Sequence, residues 1–498
     1  MSSLHLGRNF IDGAWREAPA HTFDDLCPST GEVIGRFPES TGEDVDAAVA
    51  AAARALPAWK RTPVPKRAEL LLRAMAILIE RKEALARELT REMGKVLTEA
   101  RGDVQEAIDT ALYYAGEGRR FFGQTTTSEL PRKMAMSLRQ PVGVCALISP
   151  WNFPIAIPSW KAFPALLCGN TIVLKPSPLT PLCAEHFVGA LVEAGAPAGV
   201  VNLVHGGQAA GEALVAHPEV ALVSFTGSSA TGRKIGEACG RELKRCAMEL
   251  GGKNAQLVME DADLELAVDG ALWGAFGTAG QRCTATSRVI VHARVYDPFV
   301  ARFVERAKAL RVGDGLDAGV DVGPLASQAQ LERSLMYMQV AREEGARVLC
   351  GGERKTAGAL GRGYFYAPTI LEGTPDMRIA KEEIFGPITT LLRCADFDDA
   401  IAIANATPYG LSGAIYTRDV ERVMRAIEEL EVGIAYVNAP TIGAEVHLPF
   451  GGVKHTGNGH REAGPQALDV FSEWKAVYVD YSGRLQRAQI DTEREDPK

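Results

Sequence analysis

Between residues 144 and 250, short apolar runs and helical stretches alternate without a break, and this regularity constrains the fold more than any other feature of the chain. It predicts strands at 144–149, 171–175, 200–204, 221–225 and 245–250, with helices at 159–168, 180–194, 209–216 and 229–239 between them. Each connection holds a helix rather than a hairpin turn, so the strands it joins run parallel. A parallel sheet with a helix after every strand is a doubly wound α/β architecture, and its ligands sit beyond the carboxyl ends of the strands.

The flanking segments extend this plan. Thr41, with Asp44 three residues on, forms a capping-box signature ahead of an Ala-rich amphipathic stretch that runs to Trp59. Helical periodicity continues over 64–96 and 97–123, so the first ~120 residues are expected to be mainly helical, with a short strand pair near 10–15 and 33–37. A second alternating series begins after Gly252, with helices at 262–276 and 295–310 and strands at 287–292, 346–350 and near 388–393, 412–416 and 433–437. At 498 residues the chain is too long for one core, and two α/β domains follow. Residues 133–139 and 470–480 read as strands without helices of their own. They are expected to form a protruding β element whose edges serve self-association. The charged tail at 491–498 is expected to be disordered.

Composition narrows the function classes. A formal net charge of −8, with Lys and Arg spread along the chain, marks no nucleic-acid or anionic-membrane surface. The longest apolar tract, 142–168, is interrupted by Lys161 and by Pro150, Pro154, Pro158 and Pro164, which rules out an unbroken membrane span. Residues 1–17 lack the basic-then-apolar pattern of a secretory signal. The nine cysteines are odd in number and contain no C-x-x-C pair, which points to a reducing, cytoplasmic compartment where most thiols fill the core.

Several short stretches carry chemistry. In GTAGQRCT, residues 277–284, glycines hold Cys283 in a turn where a thiol is exposed to a ligand, although a lone Cys is more often inert. ELGGKN, 249–254, puts Glu249 at the carboxyl end of a predicted strand, where it is either a surface carboxylate or a general base. In PWNFP, 150–154, prolines fix the backbone around Asn152, whose amide is either a loop cap or a rigid hydrogen-bond donor. No G-x-G-x-x-G follows a strand, but Gly227, Ser228 and the amides of the following helix make a pyrophosphate site or a plain Ser-capped turn. Lys175 ends the second strand, in KPSP, and no acid follows within three residues to take a ribose 2′-hydroxyl. No metal-ligand cluster is visible.

Taken in chain order, PWNFP, KPS, FTGS-x3-G, ELGGKN, GQRC, EEIFGP (382–387), N-x3-YGLS (405–412) and PFGG-x-K-x-x-G (449–457) resemble the aldehyde dehydrogenase superfamily over essentially the full length. The resemblance implies a Rossmann-like NAD- or NADP-binding domain (1–122 and 143–251), a catalytic domain (252–464) and a small bridging and oligomerisation element (123–142 and 465–490). It implies a homodimer or homotetramer acting on a small aldehyde. It assigns Cys283 as nucleophile, Glu249 as general base, and Asn152 with the Cys283 amide as oxyanion donors. Trp151, Lys175, Ser177, Gly227, Ser228, Gly251, Glu383 and Phe385 become the cofactor contacts. Glu249 also separates the chain from the CoA-acylating branch, so the implied product is the free acid.

The stretch 438–459 resembles branches acting on semialdehydes of acidic metabolites, such as 2-oxoglutarate and 2-aminoadipate semialdehydes. That resemblance implies substrate contacts from Arg282, Glu106, Gly443 and Ala444. Arg282 suits a remote carboxylate, and a structural salt bridge is its alternative reading. The tail after Gly464 departs from the aminoadipate pattern.

Overall fold

The computed structural model describes residues 4–17 and 21–490, so the predicted disordered tail at 491–498 lies outside the described residues. The alternating segment folds into a seven-stranded sheet. Its order is Arg245–Glu249, Val220–Thr226, Val144–Ile148, Thr171–Lys175, Val201–Leu203, Asn9–Ile11 and Ala14–Arg16. The first five strands run parallel, and the N-terminal hairpin adds two antiparallel strands at one edge. Chain order reverses between Val144–Ile148 and Val220–Thr226, which opens a crevice at their carboxyl ends.

The strands at 10–15 and 33–37 do not pair with each other as expected. Asn9–Ile11 turns back on Ala14–Arg16, whereas Val33–Pro38 joins a separate small sheet with Thr22–Leu26 and His5–Leu6. Local alternation marks a strand but does not choose its partner.

Helix boundaries follow the capping chemistry. Asp44 accepts from the Thr41 amide at 2.9 Å and opens the helix Gly42–Trp59. Val64–Met93 stops at Gly94, whose φ of +96° closes the last turn in the left-handed region. The helix predicted at 159–168 starts earlier, at Ala156, because Pro158 sits in the first turn, where its missing N–H is not needed.

The second sheet is ordered Arg347–Cys350, Thr369–Glu372, Ile388–Cys394, Thr286–His292, Asn254–Val258, Ser412–Tyr416 and Ile434–Val437. All neighbours are parallel except at the first strand. Its strand Asn254–Val258 escaped the sequence reading because two of its five residues are amides. Lys133–Pro141 and Ser472–Asp480 pair with each other, antiparallel, and Thr125–Thr127 adds a third strand. Among the described residues no helix is long and apolar enough to cross a membrane.

One buried ion pair ties the helical layer to the loop that carries the PWNFP motif. Lys95 Nζ lies 2.9 Å from Asp103 Oδ2, with both side chains fully buried. The other Asp103 oxygen accepts the Ala156 amide at 2.7 Å, and the ammonium stands 3.8 Å from the Phe153 ring centre. Removing one partner of such a pair strands the other in a dry site, so Asp103→Ala is expected to destabilise the fold by about 3–5 kcal/mol. Urea unfolding monitored by circular dichroism checks this, and a loss below about 1 kcal/mol would contradict it.

Candidate active site

The PWNFP loop leaves the strand Val144–Ile148 at the point where the sheet order reverses. There the buried Asn152 donates from Nδ2 to the carbonyl of Gln281 at 3.1 Å, which orients the amide. Gln281 is itself fixed, because its Oε1 accepts the Ala326 amide at 3.0 Å. Asn152 and Cys283 line one cavity of about 170 Å³, together with Trp151, Gly227, Ser228, Gly251, Glu383 and Phe385. Eight residues singled out from sequence therefore converge there.

Cys283 follows a left-handed turn in which Thr278, Ala279 and Gly280 have φ of 52°, 52° and 68°. Two consecutive non-glycine residues in that region store backbone strain, a common property of functional turns. The Cys283 carbonyl is held by Asn254 Nδ2 at 2.8 Å. Burial pushes the thiol up to about 12, and the carboxylates of Glu249 and Glu383 add to the effect.

Glu249 ends the strand Arg245–Glu249, and its carbonyl accepts the Gly227 amide at 3.0 Å. Its carboxyl is buried, and Oε2 has no hydrogen-bond partner. Gly451 arches over it at φ +146°, and a Cβ at that position would stand 2.6 Å from Oε1. Burial holds this carboxyl well above the ordinary range; the negative charge of Glu462 adds to the rise, and Lys161 and Arg461 oppose it. Lys161 pairs with Glu462 and donates to Ser224 Oγ at 3.0 Å. In the sequence Lys161 was noticed only as a charge interrupting an apolar tract. No local pattern connects it to Glu462, 301 residues away.

A groove of about 650 Å³ extends from this cavity along the sheet edge, sharing Pro150, Trp151, Thr226 and Gly227 with it. Lys175 and Ser177 lie on its wall beside the apolar Val215, Ile235 and Ala238. Lys175 Nζ is held by the carbonyls of Pro176 and Gly206 at 2.8 and 2.7 Å, and burial lowers it to about 8. Glu39, absent from the sequence reading, accepts the Gly207 amide at 2.8 Å and acts on Lys175 electrostatically. Ser228 caps the helix Ser229–Arg241 through Thr231 N at 3.2 Å. Glu383 Oε1 accepts the Gly252 amide at 2.9 Å, and a Cβ on Gly251 would stand 2.5 Å from Glu383 Oε2. Phe385, with φ +62°, meets Trp151 edge-on at 5.4 Å.

A dinucleotide fits these residues. The groove offers an apolar wall for a base, a lysine and helix amides for ribose and phosphate, and two facing aromatic rings near the thiol. The buried hydroxyls of Ser149 and Thr226 on its wall have no hydrogen-bond partner among the described residues.

The residues expected to touch substrate divide. Ala444 and Cys283 both pack against an apolar cluster that includes Trp160 and Phe450, and Gly443, at φ +117°, faces open space. Arg282 is engaged within the chain: its guanidinium reaches Glu99 at 3.2 Å and Thr278 Oγ1 at 2.9 Å, and it stacks on Trp273 at 4.8 Å. Glu106 is half-buried near it, and burial, with Asp103, raises its carboxyl to about 8.

A switch-point groove that ends on a rigidly presented thiol defines a dinucleotide-dependent oxidoreductase. The description "Aldehyde dehydrogenase family" matches residues 15–477, and the chain belongs to that family. Alpha-ketoglutaric semialdehyde dehydrogenase of Bacillus subtilis (strain 168) is 40% identical, with 95% of this chain and 97% of the relative aligned. Succinate-semialdehyde dehydrogenase [NADP(+)] of Escherichia coli (strain K12) is also 40% identical, over 96% of this chain and 98% of its own length. Betaine aldehyde dehydrogenase from Staphylococcus aureus, solved in complex with NAD+, superposes with a TM-score of 0.94 at 35% identity, covering 96% of each chain.

Because burial and two carboxylates hold the Cys283 thiol protonated, its alkylation by iodoacetamide without cofactor is expected to rise with pH far into the alkaline range. Glu249→Gln removes one of those charges, so the rise should move to lower pH. A rise already complete at about pH 7 in the wild type would contradict the assigned electrostatics.

Proposed function

We propose that this enzyme oxidises a carboxylate-bearing semialdehyde to the free acid through a thioester on Cys283, with NAD or NADP as acceptor. The observation that carries the reading is convergence. Asn152 and Cys283 line one cavity opening onto the dinucleotide groove, and Glu249 is close enough to act electrostatically on the thiol.

The Cys283 thiol first releases its proton to solvent; the thiolate then attacks the aldehyde carbon, and the carbonyl oxygen becomes an alkoxide. A carboxamide has two N–H donors. One Asn152 N–H is committed to Gln281, and that bond aims the other, with the Cys283 backbone amide, at the developing charge. Collapse of the alkoxide expels hydride, which the bound dinucleotide accepts. Glu249, in its ionised form, then takes a proton from water as that water attacks the thioester; the C–S bond breaks, the acid leaves, and the proton on Glu249 passes to the Cys283 sulfur to regenerate the thiol.

Trp151, Lys175, Ser177, Gly227, Ser228, Gly251, Glu383 and Phe385 are assigned to the cofactor. No acid follows Lys175 to repel a 2′-phosphate, so both dinucleotides are accommodated. The two semialdehyde dehydrogenases reported above act on substrates with a remote carboxylate, and the same class is assigned here. Arg282 supplies the positive charge at the far end of the substrate, Glu106 flanks it, and Gly443 and Ala444 form the wall. The paired strands Lys133–Pro141 and Ser472–Asp480 leave Trp474 52% and Tyr478 65% exposed, which fits burial in a homodimer or homotetramer. The assigned location is the cytoplasm.

A panel of semialdehydes and neutral aldehydes, run with both cofactors, tests the substrate class. Asn152→Ala is expected to lower kcat by about 10²–10³, equivalent to about 3–4 kcal/mol of barrier. Glu249→Gln should retain a single burst of reduced cofactor and then stall, and steady turnover at the wild-type rate would refute its role as base. Glu106 is neutral below about 8 and charged above it. As pH rises through that value, KM for a semialdehyde acid should therefore increase while KM for a neutral aldehyde stays flat, and Glu106→Gln should remove the increase.

A further inference from the structure

Two of the nine cysteines are only partly buried. Cys283 belongs to the site described above. Cys246, on the strand Arg245–Glu249, has no role there. It packs against the apolar cluster that holds Cys239, a buried residue of the helix Ser229–Arg241 packed on the same strand, and each thiol acts on the ionisation of the other. The connection between helix and strand is short, and it is closed by the Lys244 amide donating to the Cys239 carbonyl at 2.8 Å.

Cys246 also opens onto a cavity of about 280 Å³ that Arg233, Lys454 and His455 line. Asn458 Nδ2 donates to the Cys246 sulfur at 3.5 Å and to its carbonyl at 2.8 Å. One sulfur therefore has an amide donor, a second thiol in the same packing cluster and an opening to a cavity. The other five core cysteines whose thiols burial raises have no such opening.

We propose that Cys246 and Cys239 form a redox pair, which a peroxide converts into an intrachain disulfide. The Cys239 thiol, and to a lesser extent Asn458, lowers the Cys246 thiol to about 7 against the opposing effect of burial. The Cys239 thiol is raised in turn by Cys246. Cys246 is thus the attacking sulfur and Cys239 the resolving one. The Cys246 thiolate attacks one peroxide oxygen, the O–O bond breaks, and the departing hydroxide takes up a proton, which leaves a sulfenic acid and water. The Cys239 sulfur then attacks the sulfenic sulfur. The S–S bond forms, the S–O bond breaks, and the Cys239 proton leaves with the hydroxyl as a second water. Two thiols lose two electrons in total, and the peroxide gains them.

The disulfide joins the C-terminal half of the helix capped by Ser228 to the strand that ends in Glu249, behind both the phosphate turn and the general base.

Full-length enzyme treated with hydrogen peroxide, blocked with N-ethylmaleimide and digested with trypsin without reductant tests this. Cleavage after Arg241 and Arg245 places the two cysteines on separate peptides, 235–241 and 246–253. The expected product is one cross-linked species, lighter than the two peptides together by two hydrogen atoms and abolished by dithiothreitol. It should form equally in Cys283→Ala, which removes the competing thiol. In Cys239→Ala the cross-link should vanish, and Cys246 should accumulate as a dimedone-reactive sulfenic acid. If Cys246 in the wild type stays fully alkylatable after peroxide, or passes to sulfinic acid without the cross-link, the redox pair is refuted.

Discussion

Six residues, 249–254, hold the two halves of this chemistry at a fixed separation. Glu249 is the last residue of a strand in the first sheet, and Asn254 is the first residue of a central strand in the second. The Asn254 amide donates to the carbonyls of Cys283 and Ala285 at 2.8 and 2.9 Å, and its oxygen accepts the Ser412 amide at 3.0 Å. A fully satisfied buried carboxamide is a rigid joint, because breaking any one bond leaves a polar group unpaired in a dry interior. Glu249 and Cys283 are thus set by one short segment and one side chain rather than by the packing of whole domains. Between them lie two glycines, and at Gly251 a side chain would displace the Glu383 carboxylate.

The same geometry accounts for the charge states. Glu249 is buried and Glu383 and Cys283 are partly buried, and each is driven toward its neutral form, so the resting cavity avoids two carboxylates and a thiolate at close quarters. A neutral cavity admits an aldehyde without first stripping water from ions. It also means that each ionisation is drawn from a strongly basic group once it occurs, which suits a nucleophile and a general base. The Lys161–Glu462 pair sets the balance around Glu249: Glu462 disfavours its ionisation, and Lys161 favours it.

Much of the architecture was legible because its signals are local. Alternation between 144 and 250 placed five strands and four helices within a few residues of their observed ends, and Thr41 with Asp44 marked a true capping box. Asn152, Cys283 and the glycines stood out because each sits in a turn immediately beside an element end, where type and spacing are diagnostic, whereas Glu383 stood out only through the resemblance of the EEIFGP block. Pairing partners were less legible: Phe10 and Val33 both lie in strands, yet in different sheets, because register is decided by tertiary contacts. Glu39, Lys161 and Glu462 escaped for the same reason. Each acts on the site from far along the chain, Glu39 and Glu462 across more than a hundred residues, and none sits in a recognisable turn.

Arg282 shows where type and position are not enough. Beside the nucleophile, an arginine reads as an anchor for a carboxylate, but the fold also supplies Glu99, 183 residues earlier, whose Oε1 accepts from both Arg282 and the Thr278 amide. The guanidinium therefore has two tasks in one place. It supports the strained turn leading to Cys283, and its charge favours ionisation of the Glu106 carboxyl. A lysine would not substitute, since a single ammonium lacks the planar fork needed to hold Glu99 and Thr278 while stacked on Trp273. The posture of the turn that leads to Cys283 and the charge felt by Glu106 are for this reason coupled through one side chain.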